Sequence, residues 1–160
     1  MPHLNTGPGE IDFVTGYFPV FKNKVLLVHH KRLGMWACGG GHIELTEDPN
    51  ESLLREVEED FGWKPDEVEI VSVREEALDR PGFKSLFPPA YLNIHRVNAE
   101  GHRHVSLAYF LKVTTDMARL NDREHASMRW FSEEELDDPQ YDLPPEICFY
   151  AKEAIRRLGS

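Results

Sequence analysis

The chain has 160 residues, 41% of them apolar and 29% charged, and 18 Lys+Arg against 28 Asp+Glu leave a formal net charge of −10. That length suits one domain with a real core, and the composition is too apolar for disorder. The acidic balance argues against nucleic acid or an anionic membrane surface as partner, and no run of ~20 apolar residues or signal-peptide-like N-terminus is present.

In chain order, Ile11 to Phe21 reads as a strand, with a break expected near Gly16 or Pro19. Lys22-Asn23-Lys24 is a turn, Val25 to His29 a buried strand, and Gly34 to Gly41 a glycine-rich loop. A helix follows from Asp48: Asp48 as N-cap, Pro49 at the first helical position, Glu51 three residues after the cap, and Gly62 as a left-handed stop. Leu53, Leu54, Val57 and Phe61 form its apolar stripe. Val68 to Glu75 is a strand, and Asp79 to Pro89 a Pro/Gly/Phe-rich loop. Tyr91 to Val97 and His104 to Val113 form a hairpin around Asn98-Ala99-Glu100-Gly101, with Val105, Leu107, Tyr109, Leu111 and Val113 on one face. Met128 to Phe131 is a short strand, and Ser132 caps a short acidic helix through Leu136. Pro144-Pro145 opens a last helix, with Ile147, Ala151, Ala154, Ile155 and Leu158 on one stripe. Cys38 and Cys148 lie far apart in no C-x-x-C pattern, which suggests neither disulfide nor zinc knuckle and makes a reducing cytoplasm the default.

The charge is uneven. Residues 41–63 hold eight of the 28 acids and one base, Arg55. On the Asp48 helix, Glu56, Glu59 and Asp60 stand at i, i+3 and i+4 and share one face, while Glu58 points away. Like charges so placed weaken a helix. Hard oxygen ligands on one rigid face suit Mg²⁺, or Mn²⁺, which would cancel the repulsion and supply a positive phosphate site. Arg55 can orient neighbouring carboxylates through forked hydrogen bonds.

Gly41-x5-Glu47-x7-Arg55-Glu56-Val57-x-Glu59-Asp60-x-Gly62-Trp63 resembles the Nudix box, G-x5-E-x7-R-E-U-x-E-E-x-G-U with U apolar, with Asp60 in place of the last Glu. Trp36, Gly40-Gly41, Glu44 and the Arg129-Trp130-Phe131-Ser132 stretch also look like the family. The resemblance implies an α/β/α sandwich with a mixed sheet between helices, residues 1–160 forming a single Nudix domain. It implies a metal-dependent pyrophosphohydrolase that attacks a nucleoside diphosphate derivative with water at phosphorus. By position, Glu56, Glu59, Asp60 and the Gly40 carbonyl would bind the divalent ions, Glu47 and Arg55 would orient the site, and Glu44 would add a contact. The general base varies within the family; the candidates are Glu124 before Trp130, Glu100 in the hairpin turn, and Glu59 itself. Homodimers are common in the family.

Asp60 is one methylene shorter than Glu and reaches about 1.5 Å less far, so it would bind metal through water or shift the metal preference. Gly39 stands where the family usually has Pro before the paired glycines. Cys38 raises an isopentenyl diphosphate isomerase-like reading, against a small buried thiol. A nucleotide-sensing module that does not cleave is a further alternative. Arg80, Phe83, Lys84 and Phe87 could stack a base and steady a phosphate, or the phenylalanines could pin their loop to the core. His102 and His104 share a strand face, with His95 across the hairpin; they read as a phosphate or metal pocket or as ordinary hydrogen-bonded histidines, with no third ligand evident. No signature beside the box selects a particular nucleotide substrate.

Overall fold

A computed structural model of the chain describes residues 7–73 and 78–159. Its elements are β1 (Ile11–Phe21), β2 (Lys24–His30), β3 (Met35–Ala37), β4 (Gly39–His42), α1 (Pro49–Phe61), β5 (Val68–Val71), β6 (Tyr91–Arg96), β7 (Arg103–Val113), β8 (His125–Phe131) and α2 (Pro145–Leu158), with short 3-10 turns at Pro65–Glu67, Glu135–Asp137 and Pro139–Tyr141. The strands form one sheet in the order β3-β2-β1-β7-β5, with β4 also on β1, β6 on β7 and β8 on β2. β1 and β7 run parallel and the other pairs antiparallel, so the sheet is mixed.

Alternation along the three central strands builds two cores. On one face Tyr17, Leu26, Val28, Tyr109, Leu111 and Val113 pack against Leu53, Val57 and Phe61 of α1. On the other, Phe18, Val20, Val25, Leu27, Ala108 and Phe110 pack against Ala151, Ala154, Ile155 and Leu158 of α2. This is the expected α/β/α sandwich, and of the expected hairpin stripe Leu107 to Val113 face α1.

Four expectations need correction or completion. The first strand does not break: Pro19 falls where β1 has left β4 (Tyr17↔Gly39) and not yet met β2 (Val20↔Val25), a gap that tolerates its missing N–H. The glycine-rich stretch is two strands, β3 and β4, rather than a loop. After Ser132, whose hydroxyl accepts from Glu135 N at 3.3 Å, the chain makes a 3-10 turn, not an α-helix. The expected strand from Val68 to Glu75 stops at Val71, since Ser72 and Val73 are outside any strand; Arg74 and Glu75 lie outside the described residues.

The α1 signals act as expected. Asp48 accepts from Asn50 N at 2.8 Å and Glu51 N at 2.9 Å, and Glu51 closes the capping box on Asp48 N at 2.9 Å. Gly62, at φ 75°, ends the helix. Among the described residues no helix is long and apolar enough to cross a membrane.

Candidate active site

β4 brings the backbone against α1 because three consecutive residues have no side chain. A Cβ on Gly39 would lie 2.4 Å from the Tyr17 ring, one on Gly40 2.0 Å from the Thr15 carbonyl oxygen, and one on Gly41 2.1 Å from Glu56 Oε1. Gly40 also has φ 147°, which other residues rarely adopt. The paired glycines thus give the Glu56 carboxyl its seat.

Arg55 ties the acids together. It grips Glu47 with two bonds, Nε to Oε2 at 3.0 Å and Nη2 to Oε1 at 2.6 Å, and donates through Nη1 to Glu56 at 2.8 Å and to Glu59 at 3.4 Å. Nη2 also reaches the His42 carbonyl at 3.1 Å. This fork holds the Glu47 and Arg55 side chains in a fixed mutual orientation. Its hydrogen bonds hold the Glu47 carboxyl below the usual carboxylate range. Glu44 meets the site through its backbone, whose N–H donates to Glu47 at 3.0 Å.

The three aligned carboxylates have different surroundings. Glu59 keeps 52% of its side chain exposed. Glu56 is 2% exposed and Asp60 1%. Burial, and then the charge of Asp60, push Glu56 up to about 7. Asp60 turns inward: Oδ2 accepts from the Tyr17 hydroxyl at 2.5 Å and from Gly40 N at 3.3 Å, and Oδ1 lies 3.2 Å from His125 Nε2. The shorter side chain therefore links α1 to β1, β4 and β8. Burial, and then Asp60, hold the Tyr17 phenol well above its ordinary value, so it stays a donor.

The loop before β8 is drawn to the same place. Asn121 N donates to the Asp60 carbonyl at 3.1 Å, His125 N to the Asn121 carbonyl at 3.1 Å, and Lys31 N to the Glu124 carbonyl at 3.0 Å. As a result Asp60, Glu124 and His125 each place one donor atom within 4.8 Å of the others. Tyr17 and His125 were not legible in advance; both come from strands remote in sequence, and neither stands in a local pattern.

The other candidates lie apart. Glu100 is exposed at the β6–β7 tip, beyond Arg103, which pairs with Ile11. Six residues of β1 separate that level from Tyr17, about 20 Å. The loop carrying Arg80, Phe83 and Phe87 sits over the N-terminal end of α1. Asn50 Oδ1 accepts from Phe87 N at 2.8 Å, Lys84 reaches Asp48 at 3.1 Å, and the Arg80 guanidinium stacks on Phe83 at 5.2 Å. Cys38 packs on the α2 face, near enough to Asp60 to feel its charge, and burial pushes its thiol up to about 11. A thiol raised in this way stays protonated at neutral pH.

A protonation test follows from Glu56. With a folded value near 7 and an unfolded value of 4.5, the unfolded chain loses the proton first as pH rises. Stability therefore falls between about pH 4.5 and 7 as far as this group is concerned, a loss of about 3 kcal/mol. In chelator, thermal melts from pH 5 to 8 are expected to drop by about 5–10 °C from this group, and this contribution is expected to vanish in Glu56→Gln.

A NUDIX domain model matches residues 14–153, and the chain belongs to the Nudix family. It is a hydrolase acting on pyrophosphate bonds. A Nudix-family hydrolase from Clostridium perfringens is 27% identical, with a TM-score of 0.79 over 92% of this chain and 97% of that one. A MutT Nudix hydrolase from Burkholderia pseudomallei (20% identity, TM-score 0.63, 93% and 98% covered) and a C. elegans Ap4A hydrolase (17%, 0.58, 91% and 93%) share the fold. No curated protein matches the chain.

Proposed function

We propose that the chain, acting as one Nudix domain over residues 1–160, is a divalent-metal-dependent hydrolase of a nucleoside diphosphate derivative. The observation that carries this reading is Glu56: a carboxyl buried beside Asp60, braced by Arg55 and seated on Gly41. A carboxyl raised to about 7 by burial is made anionic at neutral pH by a cation beside it. Glu56 and Glu59, with the Gly40 carbonyl, would hold Mg²⁺ or Mn²⁺. Asp60, engaged by Tyr17 and His125, would complete the set through water or by anchoring the helix. When bound, the metal lowers the pKa of water and takes up charge on the phosphoryl oxygens.

The chain's own groups do the rest. The Arg55–Glu47 fork fixes the direction of Glu56 and Glu59. Glu124 is the general base of choice among Glu124, Glu100 and Glu59, because its carboxylate reaches the Asp60–His125 corner while Glu100 lies at the far end of β1. Arg80, Phe83 and Lys84, on the loop over the start of α1, would contact the group beyond the diphosphate.

A panel of nucleoside diphosphate sugars, dinucleoside polyphosphates and nucleotide cofactors, with Mg²⁺ or Mn²⁺ and phosphate or mass detection, tests the proposal. Turnover is expected with metal and none in chelator. Tight binding of one nucleotide without cleavage would overturn hydrolysis in favour of a sensor. Glu124→Gln is expected to lower kcat about 10²- to 10⁴-fold, to flatten the acid limb of the pH profile and to leave the melting temperature within a few degrees. Glu100→Gln is expected to match the parent. An unchanged kcat in Glu124→Gln would move the base to Glu59.

A further inference from the structure

The histidines of the hairpin meet two residues that sequence reading did not connect with them. His104 pairs with Asp12 in the parallel β1–β7 register, His102 precedes it on the same face, and His42 comes from β4, opposite Val14. Asp12 is 0% exposed, His102 3% and His42 7%. Asp12 Oδ2 lies 3.4 Å from His42 Nε2 and 3.3 Å from His102 Nε2. The His104 ring sits 5.0 Å from that of His42 and 5.2 Å from that of His102, centroid to centroid. Asp12, His42 and His104 each bring one donor atom within 4.8 Å of the others.

We propose that Asp12, His42, His102 and His104 form a second metal site, for a tetrahedral transition ion of the zinc class, separate from the Nudix carboxylates. Three considerations carry this. The first is donor chemistry: three imidazoles and one carboxylate suit Zn²⁺ and its neighbours, whereas Mg²⁺ takes oxygen sets such as that on α1. The second is size. A tetrahedral ion with bonds of 2.0–2.1 Å has ligand–ligand edges of about 3.3–3.4 Å, which matches the Asp12–His42 and Asp12–His102 separations and exceeds the usual N–H···O length of about 2.9 Å, while the His104 donor atom lies within 4.8 Å of those of Asp12 and His42. The third is placement. The ligands come from β1, β4, β7 and the residue just before β7, so an ion would clamp the central strand to β4 and β7. His95, 5.6 Å from His104 with Nδ1 on Asn93 Oδ1 at 2.9 Å, borders the cluster without belonging to the set.

The two sites stand back to back across β4. Gly41 faces Glu56 on the α1 side, and the next residue, His42, turns to the opposite face. The His42 carbonyl accepts from Arg55 Nη2 at 3.1 Å and from Ser52 Oγ at 3.4 Å. An ion on the His42 ring would therefore brace the strand against which the Nudix arginine rests.

The test separates the two sites. The 160-residue chain carrying Glu56→Gln and Glu59→Gln, stripped with chelator, is titrated with Zn²⁺ by calorimetry and with Co²⁺ by visible absorption. One Zn²⁺ per chain and the intense ligand-field bands of tetrahedral Co²⁺ are expected. Because losing a group that only orients a metal ligand already costs about 10–100-fold in metal affinity, His104→Ala is expected to weaken Zn²⁺ binding by more than about 100-fold. His104 is partly exposed, which favours a folded variant; circular dichroism checks this, and His102→Gln repeats the measurement by a different ligand. His95→Ala is expected to bind as the parent does. Absence of Zn²⁺ binding in the double variant overturns the proposal, as does equal binding by folded His104→Ala or His102→Gln.

Discussion

Glu56→Gln is expected to lower kcat at least about a thousandfold while the melting temperature at pH 8 stays equal or rises. The amide keeps the volume of the side chain and can still accept from Arg55 Nη1, now 2.8 Å from Oε1. What it loses is the charge. A thousandfold corresponds to about 4 kcal/mol, within the several kcal/mol that metal-borne stabilisation of phosphoryl charge supplies. The stability effect has the opposite sign, because a carboxylate forced to ionise at 2% exposure beside Asp60 costs the fold energy that an amide does not. Activity and stability separate at this one position, and steady-state kinetics beside thermal melts show both. A kcat within tenfold of the parent would remove Glu56 from the metal site.

The adjacent glycines are expected to fail in two different ways when changed to alanine. In Gly40→Ala the new Cβ meets the Thr15 carbonyl oxygen at 2.0 Å and the Gly16 Cα at 3.0 Å, both backbone, at a φ of 147° that alanine resists. Neither can yield without separating β4 from β1. A loss above about 3 kcal/mol and mostly insoluble protein are expected. In Gly41→Ala the clash is with the end of a side chain, Glu56 Oε1 at 2.1 Å. That carboxyl can swing aside, so the protein is expected to fold with a melting temperature within about 5 °C of the parent. Its kcat is expected to fall about a hundredfold or more, since a misplacement of 1 Å at a catalytic group has that effect. Equal melting temperatures for the two variants would show that β4 does not pack as described.

What the sequence made legible was local. The α1 boundaries were readable because Asp48, Pro49, Glu51 and Gly62 each act within a few residues of themselves. The Arg55 fork was readable because its partners sit on the same helix or just before it. The glycines of β4 were not readable as a strand, since glycine carries no strand preference and their pairing is imposed by Tyr17, Thr15 and Glu56 from elsewhere. The inward turn of Asp60 needed Tyr17 on β1 and His125 on β8. Asp12 and His42 were invisible as partners of His102 and His104 because parallel pairing of β1 with β7 joins positions about ninety residues apart.

The register of β4 on β1 carries a consequence for how this chain can change over evolutionary time. In a strand, a shift of one residue exchanges the two faces. In β4 that exchange would aim the His42 ring at the helix and leave the Glu56 carboxyl without its seat. Insertions or deletions between Gly39 and His42 should therefore be purged, while the 31–34 turn, whose residues are exposed, can lengthen at little cost. The length of this segment is thus under selection independently of its composition, and variation among descendants of this sequence should appear on either side of four residues that count as a ruler.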